Sequence, residues 1–236
     1  MGVTYNPRIV TDGLVLALDA GNTKSYPGSG TTWFDLSGRG NNGTLTNMDG
    51  SNYSDGALSF DGSNEYVDLT ESLIGSNQIQ TVTSSYTLEA WINVRSSSGT
   101  DGNAASIIGN AGNYGVGMQV GVSNGNPRMN YGFRFTNNFY GSEFSYDTWT
   151  HICLSRIHGQ SVKAYLNGNL DVSYTSTTLS VPSEQTYNNM RIGNSSPRVS
   201  GYYDGYISNI RVYNKGLTDA EIQQNYNALK SRFINT

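Results

Sequence analysis

The sequence predicts an all-β fold, a jelly-roll-like sandwich of two antiparallel sheets with one short C-terminal helix. Its 236 residues include 28 Gly and 17 Tyr, a composition typical of many short strands joined by tight turns. Short alternations of apolar and polar residues also recur between clusters of Gly, Asn, Ser and Asp. This length suits one large sandwich, so we predict a single domain over 13–236 behind a leader of residues 1–12.

The first strand is predicted at 13–19, where GLVLALD forms a mostly apolar run of strand length. Residues 20–55 are rich in Gly, Asn, Ser, Thr and Asp, so they predict a long loop with Trp33 and Phe34 as aromatic anchors. Residues 57–60 and 65–69 flank the turn sequence DGSN. That arrangement predicts a hairpin.

Alternation is clearest at 86–94, where Leu88, Ala90 and Ile92 predict the apolar face of a strand. Further strands are predicted at 129–135, 151–157, 162–166, 189–193 and 203–213. Asn167 and Gly168 favour the positive φ angles of a type I′ turn, which predicts a second hairpin. The total of roughly a dozen strands is typical of a sandwich.

One helix is predicted at about 219–229. Thr218 and Glu221 have the spacing of a capping box. An apolar stripe then follows at helical spacing, formed by Ile222, Tyr226, Leu229 and Phe233.

Charge and composition exclude several classes of partner. The formal net charge is −4 and no basic cluster occurs, which excludes nucleic acid. No apolar run approaches the roughly 18 to 20 residues of a membrane-spanning helix, so no membrane insertion is expected. Residues 1–7 show no secretory signal. Cys153 is the single cysteine, and its apolar neighbours predict a buried, inert thiol.

Several segments, taken in order, resemble the laminin-G-like domains of the concanavalin-A-like lectin and glucanase superfamily. The resemblance runs from about Gly13 to Leu229 and implies the same two-sheet sandwich. The segments that carry it are ALSFDG at 57–62, EYV at 65–67, YTLEAWI at 86–92, WTHI at 149–152, YLNG at 165–168, GYISNIRVYNKGLT at 205–218 and EI at 221–222.

The opening segment is similar to a variant found in virion proteins of tailed bacteriophages. It contains DAGN at 19–22, SYPGSG at 25–30, DLSG at 35–38 and NNGTL at 41–45. The similarity implies a non-enzymatic virion protein, either a capsid decoration, a fibre or a tail-associated adhesin. Such a protein is made in the host cytoplasm and lies on the virion surface, where its partners are other virion or capsid proteins or further copies of itself. The alternative is an extracellular, stand-alone carbohydrate-binding lectin with structural calcium.

The leader 1–12 and the C-terminal helix are the candidate attachment segments. The leader is polar and shows no evident role in the core. Attachment through it predicts that its deletion reduces assembly.

Catalytic residues are not predicted. Glycosidases on this fold need two carboxylates on one strand, about 5 to 9.5 Å apart. The nearest cluster, Asp61, Glu65 and Asp68, spans a predicted turn, so solvated turn charges are the favoured interpretation. We therefore expect a protein that is not an enzyme.

The family resemblance implies a structural Ca²⁺ held by oxygen ligands. Asp19 matches the position at the end of the first strand, Asn41 offers a carbonyl, and Asp204 could close the site from the last strand. Relatives often carry an Asp in the last strand where this chain has Ser208 and Asn209. Ordinary Asx turns are the alternative explanation of these residues.

Tyrosines near Gly-Asn loops are the candidate ligand-binding residues for a host-surface glycan, because an exposed ring stacks on the apolar face of a sugar. The candidates are Tyr114, Tyr140, Tyr202 and Tyr203. The alternative is that these rings pack on the sandwich without a ligand.

Overall fold

The computed structural model describes residues 8–69, 73, 84–95, 105–110, 116–133, 137–175, 190–194 and 201–234. These residues form sixteen strands and one α-helix, α1, at Asp219–Leu229. The strands are β1 Leu14–Asp19, β2 Thr32–Trp33, β3 Gly43–Thr46, β4 Tyr53–Ser54, β5 Ala57–Asp61, β6 Tyr66–Leu69, β7 Tyr86–Val94, β8 Ala105–Asn110, β9 Val116–Ser123, β10 Asn126–Phe133, β11 Asn137–Glu143, β12 Trp149–Ile157, β13 Ser161–Leu166, β14 Asn169–Thr175, β15 Met190–Ile192 and β16 Asp204–Tyr213.

The strands form two antiparallel sheets, as predicted. Sheet A has the order β14-β13-β12-β7-β16-β5-β4, with β1 also paired to β16. Sheet B has the order β11-β10-β9-β8-β15-β6-β3-β2. The sequence-based prediction of a jelly-roll-like sandwich with one C-terminal helix is confirmed.

The main core lies between the inner faces of the two sheets. Sheet A contributes residues such as Leu88, Ile152 and Val212, and sheet B contributes Met118 and Met129. All five are buried within one hydrophobic cluster. Because side chains alternate along a strand, the residues between these positions point away from the core, and they form the outer faces discussed below.

The predicted hairpin around DGSN is wrong. β5 pairs with β4 and β16 in sheet A, whereas β6 pairs with β3 and β15 in sheet B. The turn itself is real, because the Asp61 carboxylate accepts hydrogen bonds from the backbone N–H groups of Ser63 and Asn64, and Gly62 adopts φ 73°. The turn therefore carries the chain from one sheet to the other, with Leu58 and Val67 both in the shared core.

The second hairpin and the helix are confirmed. β13 and β14 pair through a turn in which Asn167 has φ 51° and Gly168 φ 76°. Helix α1 begins at the predicted residue, where Thr218 and Glu221 form the capping box. At 11 residues, this helix of the described chain is too short to cross a membrane.

A second apolar layer covers the outer face of sheet A. Cys153, Tyr165 and Tyr213 of the sheet pack there against Ile222 of α1 and against Val10. The burial of Cys153 confirms the predicted buried thiol. Residues 8–12, however, are not a free leader, because the Val10 amide donates to Asn225 Oδ1 at 2.7 Å. The interpretation that the segment before the first strand has no core role is wrong for this part of it; residues 1–7 lie outside the described chain.

Beneath α1 lies a buried charged cluster on the same face. Glu89 forms an ion pair with Arg211 at 2.8 Å and lies 3.7 Å from His151 Nε2. Asn225 of α1 donates to both carboxylate oxygens of Glu89 at 3.1 Å. Burial acts to raise the pKa of Glu89, but the Arg211 charge and the neighbouring His151 and Asn225 side chains outweigh it, so the pKa is lowered.

The C-terminal residues complete this layer. The Phe233 ring stacks on Trp91, with ring centroids 4.3 Å apart, and contacts Trp149 at 4.9 Å. Arg232 donates to both carboxylate oxygens of Asp19, at 2.8 and 2.9 Å. The outer face of sheet A is therefore occupied by segments of the chain itself.

Candidate functional site

The outer face of sheet B carries a row of polar side chains on four neighbouring strands. Ser106 on β8 is paired with Gln119 on β9, which is paired with Asn130 on β10, which is paired with Tyr140 on β11. Their sequence neighbours Met118, Val120 and Met129 lie in the core, so the row points outward. Neighbouring strands lie about 4.8 Å apart, so the row is about 14 Å long. We define the polar patch as Ser106, Gln119, Gly121, Arg128, Asn130 and Tyr140.

Tyr140 and Arg128 form one end of the polar patch. The Arg128 guanidinium lies over the Tyr140 ring, 4.3 Å from its centroid. The register of the β10–β11 pairing shifts between Arg128 and Asn130. This irregularity in the ladder lies next to Tyr140, the cross-strand partner of Asn130. The ring stays 46% exposed. An exposed aromatic side chain therefore lies beside a cation on the edge strand of sheet B.

Gly121 leaves an open space in the polar patch. It is paired with Arg128 across β9 and β10, and a side chain at this position would meet no atom within 4 Å. Gly117 on the same strand differs, because a Cβ there would lie 2.8 Å from the Ile108 carbonyl oxygen. The missing side chain at Gly121 therefore leaves open space across the strand from Arg128 rather than relieving a crowded contact.

Two buried polar atoms of the patch have no hydrogen-bond partner among the described residues, Ser106 Oγ and Asn130 Oδ1. Ser106 is 1% exposed. A buried polar group left without a hydrogen bond costs about 1–3 kcal/mol. Because both atoms are buried, a ligand group would reach them only after a local rearrangement of the patch.

Arg128 and Glu143 are the two charged residues of this region that are paired across β10 and β11. Glu143, paired with Arg128 across β10 and β11, accepts hydrogen bonds from the Asn124 and Asn126 side chains at 2.9 and 3.3 Å. Its pKa is lowered, first by a hydrogen bond from Ser123 and less strongly by the Arg128 charge. The carboxylate is therefore held by the β9–β10 turn, and within the described chain no ion pair joins it to Arg128.

The four tyrosines predicted to bind a ligand fall in different places. Tyr140 lies in the polar patch. Tyr202 is partly exposed beside it, since the adjacent Gly201 carbonyl accepts the Ser106 amide at 3.2 Å. Tyr203 is fully buried and donates its hydroxyl to the Asn93 carbonyl at 2.9 Å, so the prediction of Tyr203 as a ligand-stacking residue is wrong. Tyr114 lies outside the described residues.

Sequence reasoning missed Ser106, Gln119, Arg128 and Asn130. Of these four residues only Asn130 lies in a predicted strand, since the sequence predicts no strand at β8 or β9. Membership of one site also depends on which strands are neighbours. The sheet order places β8 beside β9 and β15, and no turn signal specifies that order.

The residues predicted to hold Ca²⁺ are not gathered at one point. Asp19 is paired with Asn209 and Asp204 with Asp61, and Asn209 and Asp204 are five positions apart on β16, about 16 Å along the strand. Asp19 is bound by Arg232, and Asp204 by Arg95 at 2.7 Å. Asn41 donates its side-chain amide to the Val15 carbonyl at 2.6 Å. The three residues therefore do not converge on a single shared ion, and whether Ca²⁺ stabilises the protein is a matter for a thermal melt.

The carboxylates predicted to be turn charges each have a local partner. Asp61 accepts the turn amides described above, and Asp68 pairs with Arg191 at 2.7 Å. Glu65 accepts from the Asn52 side chain at 2.7 Å, and burial raises its pKa. Within the described residues, no group of His, Cys, Asp and Glu side chains could hold a metal ion.

The fold and its exposed polar face define a β-sandwich of the lectin type. Residues 61–223, more than half of the chain, match the Laminin_G_3 family model, described as the concanavalin A-like lectin/glucanases superfamily. The chain belongs to this family. No curated protein sequence matches it significantly.

Solved structures with the same fold differ widely in sequence. Domain 4 of AbnA, a GH43 extracellular arabinanase from Geobacillus stearothermophilus in complex with arabinotriose, has TM-score 0.62 and 19% identity, with 90% of this chain and 98% of that domain covered. Trypanosoma rangeli sialidase in complex with sialic acid has TM-score 0.69 and 14% identity, covering 94% of this chain and 34% of the sialidase. The botulinum neurotoxin serotype D binding domain has TM-score 0.67 and 15% identity, covering 92% and 51%. The chain thus spans a third of the sialidase and half of the neurotoxin domain.

Proposed function

We propose that this protein is a non-catalytic glycan-binding module and that the polar patch on sheet B is its binding surface. The observation that carries the proposal is the exposed Tyr140 ring at the end of a row of polar side chains, of which Gln119, Arg128 and Asn130 are partly exposed. A pyranose or furanose ring presents one apolar face and several hydroxyl groups. Tyr140 suits the apolar face, and Asn130, Gln119 and Ser106 suit the hydroxyls.

The likeness to the arabinanase domain supports this assignment. That domain matches over nearly its whole length and is described in complex with arabinotriose. At 19% identity the likeness concerns the fold, so the patch residues of this chain carry the chemical argument.

Binding on a glycan array, followed by titration calorimetry with the best glycan, tests the proposal. We expect Tyr140→Ala and Asn130→Ala to weaken binding, the former by about 10-fold, since an aromatic contact contributes about 1 kcal/mol or more. Phe34→Ala is the matched control, because Phe34 is similarly exposed at 44% but lies on the loop after β2. Equal binding by all three variants and the parent, or no glycan bound at all, contradicts the assignment.

The non-catalytic part of the proposal has its own test. Asp61 and Asp68 lie on different sheets, and each of Asp61, Glu65 and Asp68 has its own hydrogen-bond partners, although the Asp61 charge also acts on Glu65. We expect no release of reducing ends from glycans that bind. Release that is abolished by Glu65→Gln would contradict it.

For the biological setting, we propose a virion surface, where the sandwich serves as a decoration, fibre or tail-associated adhesin that contacts other virion proteins. The opening segment that resembles phage proteins supports this, particularly the loop in which Asp35 accepts the backbone amides of Ala17, Ser37 and Asn41. Mass spectrometry and immunogold labelling of purified particles from the source host test the setting. A protein found only free in the medium would favour the stand-alone lectin.

A further inference from the structure

We propose that the glycan recognised by the polar patch carries a carboxylate, and that Arg128 is the residue that selects it. This inference rests on the proposed glycan-binding function and specifies the class of ligand. An acidic sugar, such as a uronic or a sialic acid, would present its carboxylate to the guanidinium while its ring lies near Tyr140.

A comparison of two arginines on the same face carries the argument. Arg191 lies over the Tyr66 ring at 4.4 Å, much as Arg128 lies over Tyr140 at 4.3 Å. Arg191 also donates to the Asp68 carboxylate at 2.7 Å, so its charge is neutralised within the protein. Among the described residues, no carboxylate accepts a hydrogen bond from Arg128, although the Glu143 charge lies near enough to interact with it. The two arginines therefore share a geometry, but only Arg191 is hydrogen-bonded to a carboxylate.

Glu143 is the one acidic side chain paired with Arg128, and its carboxylate is directed elsewhere. Ser123, Asn124 and Asn126 hold it at the β9–β10 turn. Its negative charge lies on β11, so a ligand carboxylate is expected on the opposite side of Arg128, toward β9. The Glu143 carboxylate accepts no hydrogen bond from the Arg128 guanidinium in the part of the chain that the structure describes.

Space for the ligand carboxylate exists on the other side of Arg128. Gly121 is its cross-strand partner, and no atom lies within 4 Å of the position that a Gly121 side chain would take. A planar guanidinium with free N–H groups beside open space suits bidentate pairing with a carboxylate. The φ angle of Gly121 is not positive, so its backbone conformation accepts a residue with a larger side chain.

The test compares acidic oligosaccharides with neutral forms of the same compounds. The probes are sialyllactose and oligogalacturonate, each paired with its carboxyl methyl ester, titrated into the 236-residue protein at low and high salt. We expect the parent to bind at least one acid about 10- to 100-fold more tightly than its ester, as a charge-assisted hydrogen bond predicts. High salt should reduce this preference.

Three variants test whether Arg128 is responsible for the preference for the acid over its ester. Arg128→Gln should abolish the preference for the acid while it retains binding of the ester. Arg191→Gln is the matched control and should keep the preference. Gly121→Phe should weaken binding of both forms because it fills the open space, and thermal melts verify that each variant is folded.

The outcomes separate this inference from the proposed function. If the parent binds acid and ester equally and Arg128→Gln changes nothing, the carboxylate preference is wrong, while binding that is lost in Tyr140→Ala still supports a glycan site. If Gly121→Phe and Tyr140→Ala leave all binding unchanged, the patch is not the site and both proposals fail.

Discussion

At the scale of single residues, the protein separates buried charges from the charges it exposes. Glu89 and Arg211 are fully buried beneath α1, where Asn225 and His151 surround them. Arg128 lies on the opposite side of the sandwich beside open space. Alternation at 86–94 identifies Glu89 as facing away from the core, but it cannot show that a helix covers that face. Tyr140 could be predicted as a ligand-binding candidate from its residue type and the neighbouring loop, whereas Ser106 and Asn130 could be assigned to the patch only from the strand register.

Removal of the Glu89 charge should destabilise the fold. Glu89→Gln leaves Arg211 charged and buried, and breaking a buried pair in this way costs about 3–5 kcal/mol. Urea unfolding at neutral pH measures the change. Glu143→Gln, which alters an exposed carboxylate, is the control and should change stability much less than Glu89→Gln. A similar loss in both variants would contradict an energetic role for the buried pair.

The same carboxylate should give stability a pH dependence. Because the folded-state pKa of Glu89 is lowered, its contribution is present above the unfolded pKa and is lost as pH falls through the folded pKa. The free energy of unfolding should therefore decline on acidification, and less steeply in Glu89→Gln than in the parent. Denaturant titrations at a series of acidic pH values measure both slopes. Parallel slopes would show that other carboxylates determine the acid sensitivity.

The bidentate contact between Arg232 and Asp19 leads to an expectation about calcium. Because the Asp19 carboxylate already has a cationic partner, we expect the thermal midpoint to be the same in millimolar Ca²⁺ and in EDTA. Arg232→Gln is the informative variant, since it frees the carboxylate. Stabilisation of the parent by Ca²⁺ would revive a metal site that includes Asp19.

At the scale of elements, local signals identified turns and the helix better than they identified strand partners. Asn167-Gly168 and Thr218-x-x-Glu221 act within a few residues, so the hairpin and α1 follow directly from the sequence. The DGSN turn is equally clear, yet β5 and β6 join different sheets. Both strands bury apolar residues in the same core, so the pattern alone cannot distinguish a hairpin from a crossing between sheets.

Gly168 should be the more sensitive of two turn glycines. A Cβ at Gly168 would lie 2.8 Å from the Tyr226 ring, and the residue has φ 76°. Gly159 has φ 71°, but a Cβ there would meet no atom within 4 Å. Gly159→Ala should cost about 1 kcal/mol from backbone strain alone, and Gly168→Ala should cost more because the helix must shift. Thermal melts compare the two, and equal losses would mean that α1 accommodates the methyl group freely.

At the scale of the whole molecule, three layers are stacked: sheet B, sheet A, and an outer layer made from both ends of the described chain. The fold class could be predicted because it depends on composition and alternation, which are spread over the sequence. The third layer could not, because Val10 and Asn225 are 215 residues apart and meet only after the sandwich has formed. The polar patch depends in the same way on sheet order.

Deletion of residues 1–12 should lower the thermal midpoint by several degrees, since it removes the buried Val10 side chain and its hydrogen bond to Asn225. Deletion of residues 1–7 is the control, because it retains Arg8 and Val10. A midpoint unchanged by the longer deletion would show that the segment contributes nothing to the fold and would leave attachment as its role.

The third layer also fixes the direction in which the protein can be displayed. Residues 8–12 and α1 both lie on the outer face of sheet A, and the polar patch lies on the outer face of sheet B. An attachment made through residues 8–12 or through α1 would therefore be on the sheet A side of the molecule. The attached object could be a particle surface, a neighbouring domain or an affinity resin. The patch then faces the surrounding medium, where long polysaccharides can reach it without passing the anchor.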